Sequence, residues 1–280
     1  MAYRRVLTIQ DISCVGQCSM TVALPILSAC GVETCVLPSA VLSAHTGGFQ
    51  GVTFRDLTED IPNIAAHWKK EGISFDAVYT GYLGSTRQIG YVKEILNTMT
   101  APGGITVVDP AMADNGRLYT GFDGVYVEAM RGLCAQADII LPNLTEACML
   151  TDTPYTENFD EAWLRELLGK LTDLGSGCVV LTGVGETPGQ TGVAIWEQEK
   201  LRRYCHEKTA KSYHGTGDIF ASAFVGACMQ DKSLEEAAVI AADYTALCIR
   251  KTFEDPAHWY GVKFETALPV LIRMLGLNEY

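Results

Sequence analysis

Short apolar segments alternate with amphipathic segments along nearly the whole chain, and this alternation constrains the fold more than any other feature. The apolar segments are rich in Val, Ile and Leu, which is typical of buried strands. The predicted strands are 6–10, 32–37, 77–80, 105–108, 138–141 and 178–181, with a hairpin at 192–196 and 201–206 and a turn at 102–104. The predicted helices are 19–30, 57–70, 86–99, 124–135, 158–174, 218–229 and 234–251.

Strands that are separated by single helices indicate βαβ units. Such units build a mainly parallel sheet with helices on both faces, so the predicted fold is a three-layer α/β/α architecture. The chain of 280 residues has no long linker and no internal repeat, and we expect residues 1–280 to form a single domain.

Polar residues stand where several predicted strands end. They are Asp11, Tyr82, Asp109, Asn143 and Thr182. In parallel sheets ligands bind outside the carboxyl ends of the strands, so we expect these side chains to share one edge of the sheet.

The charge balance limits the classes of partner. The chain has 33 Asp and Glu against 21 Lys and Arg, a formal net charge of −12. An acidic surface repels nucleic acid and anionic membranes, so a small-molecule substrate is expected instead. No apolar run is long enough for a signal peptide or a membrane span, and the ten cysteines are scattered, so we expect a cytoplasmic protein with reduced, buried thiols.

The segment Gly215–Thr216–Gly217–Asp218 precedes an apolar helix. Two glycines allow the backbone to approach a ligand closely, and the start of a helix attracts anions, so the segment predicts a phosphate site. The alternative is that Asp218 is only the N-cap of that helix.

Two further segments carry carboxylates at predicted strand ends. In Pro142–Asn143–Leu144–Thr145–Glu146, Glu146 could lie near Mg²⁺, or Asn143 and Glu146 could form a capping box, and both can hold together. Asp109 and Asp114 could converge on one cation, although Asp114–Asn115–Gly116 is also good turn chemistry.

A set of residues near the front of the chain could line a flat pocket for an aromatic ligand. It comprises Asp11, His45, Thr46 and Tyr82. Taken singly, each has a structural alternative: the histidine as a hydrogen-bonded structural residue and the tyrosine as part of the core.

Together these segments resemble the ribokinase-like superfamily and, within it, the pyridoxal kinases. The Gly-x-Gly-Asp element at 215–218 is shared by the superfamily, whereas Ser-Ala-His-Thr-Gly at 43–47 and Thr-Gly-Tyr-Leu-Gly-Ser at 80–85 look like the vitamin-pocket segments of pyridoxal kinases. The resemblance covers nearly the whole chain. It implies ATP-dependent phosphorylation of the 5′-hydroxymethyl group of vitamin B6 vitamers, and a homodimer.

The resemblance also implies residue roles. Asp218 would be the catalytic base, and the amides of Gly215, Thr216 and Gly217 would form the anion hole. Glu146 and Asp109 would form the Mg²⁺ environment, and Asp11, His45, Thr46 and Tyr82 would bind the substrate. Asp114, Tyr119, Asn143 and Thr182 would lie on the ATP side, and the segment 111–121, called the flap below, would be a mobile cover.

Three positions depart from the family pattern. Asp11 stands where serine is common, and a carboxylate there would favour a protonated ring nitrogen or a substrate amine, as in pyridoxamine. Ala44 replaces a common asparagine, and Leu141 replaces a threonine that can help bind K⁺. The alternatives are a hydroxymethylpyrimidine kinase, a kinase of dual specificity and a non-catalytic B6-binding protein.

Overall fold

A computed structural model describes residues 3–187, 189–209 and 213–277. A nine-stranded sheet runs through the molecule, with the strand order β11-β10-β9-β8-β5-β4-β1-β2-β3. The strands of this sheet are β1 (Arg5–Ser13), β2 (Glu33–Leu42), β3 (Phe54–Asp56), β4 (Phe75–Thr80), β5 (Thr100–Val108), β8 (Ile139–Ile140), β9 (Cys178–Thr182), β10 (Gln190–Glu197) and β11 (Lys200–Glu207). A separate small hairpin joins β6 (Ala113–Asp114) to β7 (Arg117–Leu118).

The sheet is parallel in its centre and antiparallel at its edges. The pairs β1–β2, β1–β4, β4–β5, β5–β8 and β8–β9 are parallel, whereas β3, β10 and β11 run antiparallel to their neighbours. This confirms the predicted architecture and the predicted hairpin of β10 and β11. Because the chain continues from β1 to β2 on one side and later returns to β4 on the other, the strand order reverses between β1 and β4. A crevice for a ligand is expected at that point.

Helices cover both faces of the sheet. They are α1 (Met20–Ala29), α2 (Ile61–Lys70), α3 (Thr86–Met99), α4 (Gly124–Cys134), α5 (Leu144–Leu150), α6 (Glu161–Asp173), α7 (Thr216–Met229), α8 (Leu234–Phe253) and α9 (Leu268–Met274). Alternate residues of β1 point to opposite faces. Val6 packs with α1, α7 and α8, whereas Leu7 and Ile9 pack with α3, α4 and α6.

Several boundaries differ from the predictions. The expected turn at 102–104 lies inside β5, where the register against β4 shifts and Gly103 adopts a φ of +79°. The glycines therefore form an irregularity within a strand instead of a turn between a helix and a strand. β1 and β2 extend further toward their carboxyl ends than predicted, and α2 and α6 begin later. Pro25 lies inside α1 and does not break it.

The structure bears on two expectations that came from composition, one about membrane spans and one about the cysteines. No helix in the described ranges has the length and apolar character that crossing a membrane requires. All ten cysteines are free, but the expectation that they are buried is wrong for Cys14, which is exposed, and Cys35, Cys205 and Cys228 are only partly buried.

Candidate active site

The loop before α7 is shaped for close approach of a ligand. Gly215 is the residue that precedes the helix, and its φ of +83° lies in the left-handed region that favours glycine. A Cβ at this position would lie 2.3 Å from the carbonyl oxygen of Gln17. Only glycine therefore fits here, because any side chain would collide with the neighbouring loop.

The first turn of α7 offers free backbone donors. The N–H groups of Thr216, Gly217 and Asp218 precede the first intrahelical hydrogen bond, in which Ile219 N–H donates to the carbonyl of Gly215. Within the described chain no side chain caps this end of the helix. Two of these N–H groups, those of Thr216 and Gly217, belong to the predicted anion hole, and the third predicted residue, Gly215, is the N-cap. Backbone donors at the positive end of a helix dipole attract a phosphate.

Asp218 is not the N-cap of α7. The helix begins at Thr216, so Asp218 is its third residue, and the alternative that it merely caps the helix is wrong. The backbone N–H of Ser19, at the start of α1, lies near this carboxylate. Burial raises the pKa of Asp218 to about 7 against the lowering effect of that nearby donor, and the charge of Asp11 raises it further. A carboxylate with this pKa is suited to accept a proton near neutral pH.

Asp109 and Glu146 share the electrostatic environment of Asp218. Burial raises the pKa of Asp109 well above its usual range, and the charges of Glu146 and Asp218 add to this effect. Burial also raises the pKa of Glu146 to about 7, although three backbone N–H groups lower it. The structure therefore brings near one another three carboxylates that lie in separate segments of the sequence.

The carboxyl oxygens of Glu146 are already engaged. Oε1 accepts from the N–H groups of Met112 at 2.8 Å and Ala113 at 3.3 Å, and Oε2 accepts from Asn143 N–H at 2.9 Å. Within the described chain, Asp109 accepts one hydrogen bond, from Ala111 N–H to Oδ1 at 3.1 Å, which leaves Oδ2 for another ligand.

These residues fit a magnesium ion that keeps most of its water. Among the residues that the structure describes, no group of three or more His, Cys, Asp or Glu could hold a metal ion by itself. Mg²⁺ in phosphoryl-transfer sites is bound by one or two carboxylates together with water and substrate phosphates, so a full protein cage is not required. The Oδ2 atom of Asp109 suits direct binding, and Glu146 suits binding through water.

Asn143 and Glu146 form the capping box that the sequence allowed. Asn143 Oδ1 accepts from Glu146 N–H at 3.0 Å, and the return bond comes from Asn143 N–H. The Nδ2 atom of Asn143 donates to the carbonyl of Ala113 at 2.8 Å. Asn143 also forms an isolated parallel bridge with Thr182, so these two predicted nucleotide-side residues are neighbours at the sheet edge.

The flap contains the β6–β7 hairpin. Asp114 lies at its turn and accepts two hydrogen bonds from Asn115, at 2.8 and 3.0 Å, which matches the turn alternative. Asn115 and Gly116 both have positive φ values, as a tight hairpin requires. Tyr119 follows the hairpin, and burial raises the pKa of its hydroxyl above the usual range, helped most by the charges of Glu146 and Asp109. The flap thus stands next to the carboxylate cluster.

The predicted substrate residues meet on the other side of Asp218. Asp11 is buried, and Ser13 Oγ donates to its Oδ2 at 2.9 Å. Burial raises the pKa of Asp11, whereas the hydroxyls of Ser19 and Ser13 and the charge of His45 lower it. The charge of Asp11 in turn contributes to the raised pKa of Tyr82, after burial. Asp11 therefore lies within electrostatic reach of both His45 and Tyr82.

The rings of this pocket pack in a defined order. Phe122 stacks on Tyr82 with ring centroids 5.6 Å apart, so a flat ligand would use the opposite face of Tyr82. His45 lies 5.0 Å from His214, between centroids, and burial lowers its pKa. Thr46 is exposed, and within the described chain its side chain makes no hydrogen bond to the other pocket residues.

Sequence reasoning missed several residues of this site. Ser19, Thr145 and Phe122 contribute through contacts with other segments: Ser19 to Asp218, Thr145 to Gly116 and Phe122 to Tyr82. Thr145 lies inside the recognised Pro142–Glu146 segment and His214 directly precedes the glycine loop, but the motifs assigned no contact to either side chain. The other contacts join residues far apart in the chain, and no local pattern reports them.

Comparison with known proteins agrees with this geometry. The family model described as phosphomethylpyrimidine kinase matches residues 24–261. The pyridoxal kinase PdxY of Actinobacillus pleuropneumoniae is 30% identical over 246 residues, which cover 81% of this chain and 80% of that protein.

Two solved structures are also similar over nearly their full lengths. Pyridoxal kinase from Lactobacillus plantarum has 30% identity and a TM-score of 0.91, with 100% of both chains covered. A Bacteroides thetaiotaomicron protein assigned as a phosphomethylpyrimidine kinase, solved with pyridoxal, has 39% identity and a TM-score of 0.90, with 96% of both chains covered. The chain therefore belongs to the phosphomethylpyrimidine kinase family of the ribokinase-like superfamily, and the pyridoxal kinases among its relatives identify it as a kinase that phosphorylates an alcohol group.

Proposed function

We propose that this kinase transfers the γ-phosphoryl group of ATP to the 5′-hydroxymethyl group of vitamin B6 vitamers, as in pyridoxal phosphate salvage. The observation that carries the proposal is the position of Asp218. It belongs to the first turn of α7, beside the backbone donors of that turn, and its carboxylate lies within electrostatic reach of Asp11. A base at that place can meet a hydroxyl group and a phosphate at the same time.

In the proposed mechanism, Asp218 accepts the proton of the substrate hydroxyl as that oxygen attacks the γ-phosphorus. The bond from the attacking oxygen to phosphorus forms, the bond to the β-phosphate oxygen breaks, and ADP leaves with the electron pair. The amides of Gly215, Thr216 and Gly217 would stabilise the charge on the transferring group. Phosphoryl transfer depends mainly on such positioning, which suits a preformed backbone cradle.

Asp109 and Glu146 would hold Mg²⁺, the first directly and the second through water. When bound, the ion supplies positive charge to the phosphates. Asp114, Tyr119, Asn143 and Thr182 are proposed to lie on the nucleotide side, which their placement around the flap and β9 supports. K⁺ dependence remains a prediction. Leu141 has no side-chain oxygen to offer a monovalent ion, so only backbone carbonyls could bind it there.

On the substrate side, Tyr82 would stack on the pyridine ring, and His45 and Thr46 would contact its edge. Asp11 would face a protonated ring nitrogen or a substrate amine. The Bacteroides thetaiotaomicron structure with pyridoxal supports this class of ligand, because it is similar over 96% of this chain.

A second candidate function is phosphorylation of a hydroxymethylpyrimidine. The family model carries that description, and the bifunctional thiamine biosynthesis protein ThiED of Geobacter sulfurreducens is 30% identical over 179 residues, although these cover only 36% of that protein. Both substrates are flat nitrogen heterocycles with a hydroxymethyl group, so dual specificity is a further alternative.

A substrate panel with ATP and Mg²⁺ tests the proposal. Pyridoxal, pyridoxine, pyridoxamine and hydroxymethylpyrimidine would be compared by kcat/KM. We expect at least one B6 vitamer to exceed hydroxymethylpyrimidine by a factor of ten or more, on the order of 1.4 kcal/mol of transition-state binding. Higher kcat/KM with hydroxymethylpyrimidine would favour the second candidate. Pyridoxal that binds without any phosphorylated product would indicate a non-catalytic B6-binding protein.

We also propose a single functional domain, supported by one sheet whose strands extend from residue 5 to residue 207 and by α7 and α8, whose side chains share a core cluster with that sheet. A homodimer remains a prediction from the family resemblance, and a cytoplasmic location remains a prediction from the composition. Analytical ultracentrifugation and cell fractionation would test them.

A further inference from the structure

The Asn143–Glu146 segment makes more contacts than a helix cap requires. The capping box at the start of α8 offers a comparison within the same chain. There, Glu236 Oε2 accepts from the N–H and the hydroxyl of Ser233, and both residues of the box are exposed. At α5, by contrast, three side chains of the segment each bind the backbone of the flap.

These three contacts reach different parts of the flap. Glu146 Oε1 accepts from Met112 and Ala113 N–H, Asn143 Nδ2 donates to Ala113 carbonyl, and Thr145 Oγ1 accepts from Gly116 N–H at 3.0 Å. Thr145 and Glu146 are both 2% exposed. The contacts of Glu146 with the flap are buried and those of Thr145 and Asn143 are partly buried, and a hydrogen bond counts for more away from water than on the surface.

The hairpin passes this anchoring on to Tyr119. The Ala113–Leu118 and Asp114–Arg117 pairs close β6 on β7, and Tyr119 N–H donates to the carbonyl of Met112 at 2.8 Å. Tyr119 lies within electrostatic reach of Glu146, Asp109 and Asp218. Met112 therefore links Glu146 to Tyr119: its N–H donates to Glu146, and its carbonyl accepts from Tyr119 N–H.

We propose that Asn143, Thr145 and Glu146 are positioning residues that set the resting place of the flap over the reaction site. The inference rests on the proposed kinase function for its consequence, although the anchoring itself does not. A held flap keeps water away from the transferring phosphoryl group, because water is a competing acceptor. The flap, which was expected to be a mobile cover, is therefore anchored at Met112 and Ala113 and at Gly116 in its turn. This anchoring adds to the predicted role of Glu146 toward Mg²⁺.

Two variants separate the anchor from the helix cap. Asn143→Asp keeps an oxygen that can cap α5 but replaces the amide that donates to Ala113. Thr145→Val keeps the shape of the side chain and removes the acceptor of Gly116 N–H. Thr151→Val is the matched control, because its hydroxyl bonds only within the end of the same helix and to Thr153. Glu236→Gln is the second control, because it alters a capping box at another helix, α8.

Hydrogen exchange followed by mass spectrometry would be measured without ATP and without Mg²⁺. Peptides over 111–121 should exchange roughly fivefold faster in Asn143→Asp and Thr145→Val, the loss expected for one hydrogen bond, and at the wild-type rate in both controls. Unchanged flap exchange in both variants would overturn the anchoring. Because no nucleotide is present, this result holds whether or not the kinase proposal is correct.

The second measurement compares ATP hydrolysis with phosphoryl transfer to pyridoxal in the same variants. Severalfold more hydrolysis per transfer, with a raised KM for ATP, is the expected result. A looser flap with an unchanged ratio would mean that the contacts are only structural, and the positioning role would be rejected. A wild-type protein without transfer activity would instead refute the proposed function and leave the exchange result in place.

Discussion

Gly215, the residue before α7, packs so closely on Gln17 that a Cβ at Gly215 would lie 2.3 Å from the Gln17 carbonyl oxygen, and Ser19, the residue before α1, lies near the carboxylate of Asp218. Ser19 has a φ of +51°, a conformation that few non-glycine residues adopt. The neighbouring Gln17 also has a positive φ, and its carbonyl faces Gly215. The two loops are therefore shaped against each other, and the orientation of Asp218 depends on both.

Asp218→Asn tests the proposed base. The substitution keeps the size of the side chain and removes its ability to accept a proton, so kcat should fall by roughly 10²- to 10⁴-fold with ATP and pyridoxal. Asp173→Asn, on the exposed end of α6, is the matched control and should keep wild-type turnover. Near-normal turnover of Asp218→Asn would show that another group takes the proton.

The pH dependence of the reaction follows from the pKa of Asp218, about 7. The base acts only when ionised, so kcat/KM should rise with pH, by about tenfold per unit below pH 7, and level off above it. Rates from pH 5 to 9 would show this acid limb. A profile that is already flat at pH 5 would contradict the raised pKa of the base.

The same raised pKa predicts how stability changes with pH. In the unfolded chain Asp218 ionises near pH 4, so between about pH 4 and pH 7 the folded state binds more protons at this group and loses stability as pH rises. Asp218→Asn removes this loss. We expect the variant to gain on the order of 2 kcal/mol over wild type between pH 5 and pH 8, after allowance for partial exposure.

Thermal melts at the two pH values would measure this gain. The control Asp173→Asn should show the same difference from wild type at both. A larger advantage of Asp218→Asn at pH 5 than at pH 8 would have the wrong sign for a carboxylate with a raised pKa.

Gly215→Ala tests the shape of the anion loop. The new Cβ would meet the Gln17 carbonyl and the residue would need a positive φ, so the free energy of unfolding should fall by about 1–3 kcal/mol and the KM for ATP should rise. Gly90→Ala, in the middle of α3 with no atom within 4 Å of its Cβ, should instead stabilise by about 0.5–1 kcal/mol. Denaturant unfolding and ATP kinetics would be compared, and equal stability of the two variants would count against the tight loop.

Asp11→Asn tests the choice of vitamer. A charged hydrogen bond to a substrate amine is stronger than a neutral one by about 1.4 kcal/mol, so kcat/KM for pyridoxamine should fall roughly tenfold. The value for pyridoxal should fall less, since it lacks the amine. Kinetics with both vitamers give the ratio, and a ratio equal to that of wild type would remove Asp11 from vitamer selection.

Much of the fold could be predicted because strand and helix periodicity is local. The strands at 178–181 and 192–206 and the helix 86–99 are found where their apolar spacing indicates. The glycine loop and Asp218 could be recognised because these residues are adjacent in the sequence. The position of the Pro102–Gly104 segment inside β5 could not be predicted, because pairing with β4 decides whether the glycines form a turn or continue the strand.

The sequence by itself determined the βαβ order, the acidic surface and the residue types at the strand ends, because each depends on neighbours in the chain. Only the tertiary structure decided that Asp218 lies inside the first turn of α7, that Ser19 lies near it, and that Asn143, Thr145 and Glu146 contact the flap. Those facts depend on which distant segments meet after the sheet has formed. Packing and burial, which no local pattern encodes, then set the proton affinity of the carboxylates.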